Sequence, residues 1–177
     1  MPFTLTPAHY ISNVIYAGPG ADSMRAASQQ LRELAFSANM TAESLTDRLG
    51  ELQENWKGSS SEFMADAALR YLDWLSKHSS QILRTANTIH HLANTYEETL
   101  LRVVPPATIA NNREERRRLI ASNVAGVNAP AIADLDAQYQ SYGDTNVQAM
   151  NLYAERAQTL LSDLPRWREP PQIYRGG

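Results

Sequence analysis

The chain has 177 residues, a formal net charge of −3, 43% hydrophobic and 20% charged residues, and no cysteine. That composition excludes an intrinsically disordered chain, thiol or disulfide chemistry, and a general electrostatic attraction to nucleic acid or anionic membranes. Alanine and short polar residues are frequent while valine and isoleucine are sparse, which favours closely packed helices over sheets.

The opening segment, Met1 to Tyr10, lacks a basic stretch followed by an apolar run, so it does not read as a cleaved signal peptide. No window has the apolar length of a membrane span. If the protein leaves the cytoplasm, it is expected to use a route that reads no cleaved N-terminal signal. Residues 8–15 suit a short helix, and Tyr16-Ala-Gly-Pro-Gly20 is a turn signal. Asp22 and Ser23 can then cap a new helix.

Residues 21–54 carry the clearest periodicity. Leu31, Ala35, Ala38, Ala42, Leu45, Leu49 and Leu52 follow one another at alternating steps of four and three residues. A 3.5-residue repeat keeps one stripe facing a partner over several turns. Such a helix is about 50 Å long, with Gly50 its one interior weak point. Trp56-Lys-Gly58 breaks it, and Gly58 can take a left-handed conformation. Ser59 and Glu62 have capping-box spacing, so a second helix is expected to start at once and run back antiparallel.

That second helix has stations at Ala68, Tyr71, Leu75, His78, Ile82, Thr85, Ile89, Leu92 and Tyr96, with Phe63, Met64, Leu69 and Leu72 beside them. So wide an apolar arc needs more than one neighbour. Asp66 to Arg70 and Asp73 to Lys77 are i,i+4 pairs of favourable polarity. Pro105-Pro106 stops the helix near Val103. Residues 107–122 read as a shorter helix with Arg113 to Arg118 on its polar face. A loop follows from Asn123 to Pro130, with Val124 and Val127 flanking Gly126. A third long helix carries Ile132, Leu135, Tyr139, Tyr142, Met150, Tyr153, Ala157, Leu160 and Leu164. Gly143-Asp144 is a possible break in it, and Pro165 ends it. The tail from residue 165 to 177 is expected to be extended or disordered.

The expected fold is therefore all-α: an elongated antiparallel helical bundle of long helices forming hairpins over residues 1–164. Helices of unequal length cannot cover one another fully, so the bundle is expected to be completed by a helical partner or by self-association.

These residues carry a family resemblance from about residue 8 to about residue 160. The chain resembles the N-terminal domain of the mycobacterial PPE proteins through Tyr16-Ala-Gly-Pro-Gly20, Trp56-Lys-Gly58, and Tyr71 with Trp74 and Leu75. Further matches are Val104-Pro-Pro-Ala-Thr-Ile-Ala-Asn-Asn112, Ile120-Ala-Ser-Asn-Val-Ala-Gly-Val-Asn-Ala-Pro-Ala-Ile132 and Gln138-Tyr139. It departs at the Pro-Pro-Glu motif that names the family, where Thr6, Pro7 and Ala8 stand here. A short proline-containing tail stands where many members carry a variable C-terminal domain.

The resemblance implies a PE-family partner that forms a two-helix hairpin, export of the pair by a type VII secretion system, and a cytoplasmic chaperone bound beforehand. The destination would be the cell envelope or the exterior. It places chaperone contact on Val124, Ala125, Gly126 and Val127, and an export-associated Trp-x-Gly turn at Trp56 and Gly58. The partner interface would combine Leu31, Ala35, Ala38, Leu45, Leu49, Leu52, Tyr71, Leu75, Ile82 and Ile89. The Tyr-x-x-x-Asp/Glu export signal has no clear copy, since Tyr153 is followed four positions later by Ala157; the resemblance assigns that signal to the partner.

Each candidate has a plainer reading. Trp56 could instead staple the hairpin shut, and the two valines could fold back on the bundle. The Arg113 to Arg118 run is interrupted by two glutamates and reads as a solvated helix face rather than a nucleic-acid site. His78, His90 and His91 do not converge as metal ligands do, and His78 suits a buried, hydrogen-bonded core position. No base-linked serine pattern, phosphate loop or paired-carboxylate cleft is apparent, so neither an enzyme nor a cofactor is expected. The alternative function is a self-associating structural or adaptor bundle.

Overall fold

A computed structural model describes residues 6–172. Among these residues there is no strand. The helices are α1 (Ala8–Tyr16), α2 (Asp22–Asn55), α3 (Ser59–Arg102), α4 (Pro106–Ala121) and α5 (Ala129–Ser162), with a 3-10 turn at Val124–Gly126 before α5. The all-α expectation holds, and the helix boundaries fall within a few residues of those read from the sequence. The described residues divide into two compact units: 6–23 with 92–162, and 24–91 with 163–172.

The second unit is built on an antiparallel hairpin of α2 and α3. Ser28, Ala35, Ala42 and Leu49, each seven residues after the last, are the buried positions of α2. The Ser28 hydroxyl donates to the Ala86 carbonyl at 2.8 Å. One heptad on, the direction reverses, and the Ser79 hydroxyl donates to the Ala35 carbonyl at 2.7 Å. Seven residues forward on α2 thus match seven residues back on α3, so the seam keeps one register. Only small side chains let two helix backbones approach closely enough for a serine to reach across. Leu49, Ala65, Leu75 and Ile82 are also buried in this unit. Each large aliphatic side chain so covered is worth about 1.5–3 kcal/mol.

The hairpin turn follows from its residues. Trp56 N–H closes the last turn of α2 on the Leu52 carbonyl at 2.9 Å. Gly58 adopts φ 113°, a conformation that L side chains rarely take. Its carbonyl accepts from the N–H groups of Ser61 and Glu62 at 3.0 and 3.2 Å, so Gly58 caps α3. Ser59, expected as the cap, lies inside the first turn instead. Ser61 completes the closure by donating its hydroxyl to the Trp56 carbonyl at 2.8 Å.

The first unit gathers α1, residues 92–102 of α3, α4 and α5. Ile11, Ile15, Val103 and Ala149 form its apolar core, flanked by Tyr96, Leu100, Val147 and Met150. A buried polar pin runs through it. The Asn146 side chain accepts from Val104 N–H at 2.8 Å and donates to the Ala8 carbonyl at 2.9 Å. Ser12 donates to the Val104 carbonyl at 2.6 Å. The backbone released where α3 meets Pro105-Pro106 is thereby satisfied by side chains. Pro106 occupies the first position of α4, where its missing N–H costs nothing.

α5 runs unbroken through Gly143-Asp144, contrary to the expected weak point. A Cβ built on Gly143 would lie 3.9 Å from that of Ala8. The pair therefore sits where α1 packs on α5, and that packing supports a helix that local propensity alone would weaken.

Candidate interaction surfaces

In the hairpin unit, the stripe assigned to a partner splits into two lines. Ala35, Leu49, Leu75 and Ile82 are already buried. Leu31, Ala38, Tyr71 and Ile89 are half-buried, and Leu45 and Leu52 are exposed. Leu31, Ala38, Leu45 and Leu52 are themselves seven residues apart, so a second line runs beside the buried seam. Toward the turn this line borders an open groove of about 590 Å³ with Phe63, Met64 and Tyr71 on its far wall. Phe63, 67% exposed, was legible only as an apolar residue beside the main stripe. Trp56, 41% exposed, stands at the turn itself, with its backbone committed to closing the hairpin and much of its ring open to solvent.

In the other unit, the α4–α5 connection presents Val124 and Val127 at 77% and 72% exposure. They do not fold back onto the helices. Ala125 and Gly126 adopt φ 53° and 79°, which turns the chain outward between the valines. Asn128 anchors the base: its N–H donates to the Asn123 side-chain oxygen at 2.8 Å and its amide to the Leu119 carbonyl at 3.0 Å. The apolar tip is thus held on a hydrogen-bonded frame.

The Arg113 to Arg118 run divides its labour. Arg113 and Arg116 both clamp Asp136 of α5, at 2.9 and 2.6 Å, and Arg113 also lies 4.2 Å from the centre of the Tyr139 ring. The hydrogen bond from Arg116, then that from Arg113, holds the Asp136 carboxyl below the ordinary carboxylate range. Arg117 and Arg118 pair with Glu114 and Glu115 on the same helix. Half the run therefore joins two helices, and only the other half is the solvated face expected. The sequence shows the arginines but not which of them meets a carboxylate on another helix.

His78 departs from the expected hydrogen-bonded core position. It is half-buried, stacked on Trp74 with ring centres 4.7 Å apart, and its Nδ1 is buried without a hydrogen-bond partner. Among the described residues no group of three His, Cys, Asp or Glu side chains converges for a metal ion. No helix among them is long and apolar enough to cross a membrane. Of the two i,i+4 pairs read from the sequence, Asp73–Lys77 forms at 2.7 Å.

The fold and these surfaces define an all-α protein built on a long helical hairpin that leaves apolar side chains at its surface. The PPE family model matches residues 2–165, and this chain belongs to that family. It is 70% identical over 173 residues to the PPE family protein PPE59 of Mycobacterium tuberculosis, covering 98% of this chain and 97% of that protein. It is 68% identical to PPE57 of the same organism, covering 98% of each. It is 35% identical to PPE41, covering 98% of this chain and 89% of that protein.

Proposed function

We propose that this chain is a non-enzymatic interaction protein that pairs with a PE-family two-helix hairpin and is exported with it by a type VII secretion system. A cytoplasmic chaperone holds the Val124–Val127 tip before export, and the Trp56–Gly58 turn forms part of the surface the export machinery reads. Family membership supports this reading. The observation that carries it is the heptad-spaced line of half-buried Leu31 and Ala38 and exposed Leu45 and Leu52, the last two lining the open groove, at the spacing a partner helix would match.

Co-expression with a two-helix PE protein tests the pairing. The expected result is a soluble one-to-one complex that is lost in a Leu45→Asp, Phe63→Asp chain whose circular dichroism is unchanged. A monodisperse, cooperatively folding monomer that takes up no such partner would refute pairing, and a homo-oligomer through the same groove would favour the self-associating bundle. Val124→Asn with Val127→Asn should abolish chaperone binding and spare pairing. Trp56→Ala should block export and spare pairing, whereas loss of folding would make Trp56 a staple of the turn.

A further inference from the structure

Residues 164–172 form no helix, yet they lie in a defined order against α3 within the hairpin unit. The Trp74 indole N–H donates to the Arg168 carbonyl at 3.0 Å. The Gln81 amide donates to the Arg166 carbonyl at 3.2 Å. Both carbonyls, two residues apart, are thus taken by side chains of α3. Between them Trp167 meets the His78 ring edge-on, with ring centres 5.1 Å apart. The order Trp74, His78, Gln81 on α3 is thus read in reverse by Arg168, Trp167, Arg166.

This is recognition of a backbone shape with one side-chain anchor. An indole donor and an amide donor take main-chain carbonyls, which any residue supplies, while the Trp74–His78 stack receives a single ring. Pro165, Pro170 and Pro171 bracket the anchor, fix φ at their own positions and keep the segment out of a helix. Aromatic grooves take proline-rich peptides by the same physical means. Among the described residues the polar hold is two neutral hydrogen bonds and the aromatic hold one ring contact, with Pro165 and Pro171 half-buried and Trp167 still 51% exposed.

We propose that this face of α3 is a docking site for an extended, proline-flanked peptide with an indole anchor, filled in cis by residues 165–171. A peptide of the same chemistry takes the site when the strap lifts. The site does not depend on pairing through the Leu45–Phe63 groove.

The test uses the full chain, alone or co-purified with its helical partner. Trp167→Ala removes the anchor and leaves the α3 face intact. The probe is a fluorescently labelled synthetic peptide of residues 163–172, read by anisotropy. It should bind the Trp167→Ala chain at least tenfold more tightly than the unaltered chain. A second substitution, Trp74→Phe, keeps a ring but removes the donor, and should weaken binding about fivefold. Equal binding to both chains, or none to a helical Trp167→Ala chain, would overturn the site. Trypsin supplies an independent measurement: cleavage after Arg166 and Arg168 should be slower in the unaltered chain than in the free peptide. Equal rates would overturn the strap.

Discussion

Ser79 of α3 donates its hydroxyl to the Ala35 carbonyl of α2 at 2.7 Å, across a seam where both residues are buried. Ser28 and Ala86 make the mirror-image bond at 2.8 Å one heptad away. The two bonds fix the hairpin's register, because a slip of one residue would lose both and place larger side chains in the seam. Ser79→Ala should cost about 1 kcal/mol, the net worth of one neutral hydrogen bond. Ser79→Leu should cost about 1–3 kcal/mol or more, because it forces the backbones apart. Urea unfolding of the two variants separates the hydrogen-bond effect from the packing effect.

Asn146 is the most demanding position in the first unit. It has no exposed surface and serves the Val104 N–H and the Ala8 carbonyl at once. Asn146→Ala leaves the Val104 N–H buried without its acceptor and takes from the Ala8 carbonyl, which the first turn of α1 also uses, its side-chain donor, a loss of roughly 1–3 kcal/mol. Thermal unfolding should show the loss, and amide exchange at Val104 should accelerate with it. Asn146→Asp should also be destabilising, because a carboxylate keeps the acceptor but cannot donate to Ala8.

The Arg113–Asp136–Arg116 clamp gives a pH dependence whose sign is fixed. The native carboxyl titrates below its ordinary value of 3.8, so the clamp contributes fully at higher pH. That contribution falls away as pH drops from the ordinary carboxylate value through the lowered native one. Asp136→Asn should flatten this part of the acid limb. Urea midpoints collected from neutral pH downward for both chains test it. Parallel acid limbs would show that the clamp has no energetic role.

Two glycines of the hairpin should respond in opposite directions. Gly50 lies inside α2 with nothing within 4 Å of a built Cβ, so Gly50→Ala should stabilise by about 0.5–1 kcal/mol. Gly58 holds φ 113°, so Gly58→Ala should destabilise by about 1–3 kcal/mol despite equally open surroundings. Unfolding midpoints that moved the same way would contradict this account of the turn.

The helices, their breaks at Gly58 and Pro105, and the small-residue stripe of α2 were all determined by the sequence, because propensity, capping and heptad spacing are local properties. Local pattern could not say which of two parallel lines on α2 is covered. The 3.5-residue repeat marks Ala35 and Ala38 equally, and only the seating of α3 buries the first more deeply than the second. Gly143 reads as a break until α1 is seen packed beside it. Arg113 and Arg116 read as solvent-facing until Asp136 arrives from another helix. The tail reads only as extended or disordered until Trp74 and Gln81 are found holding its carbonyls. In each case the deciding partner lies at least 20 residues away in the chain, and nothing in the local sequence encodes which partner that will be.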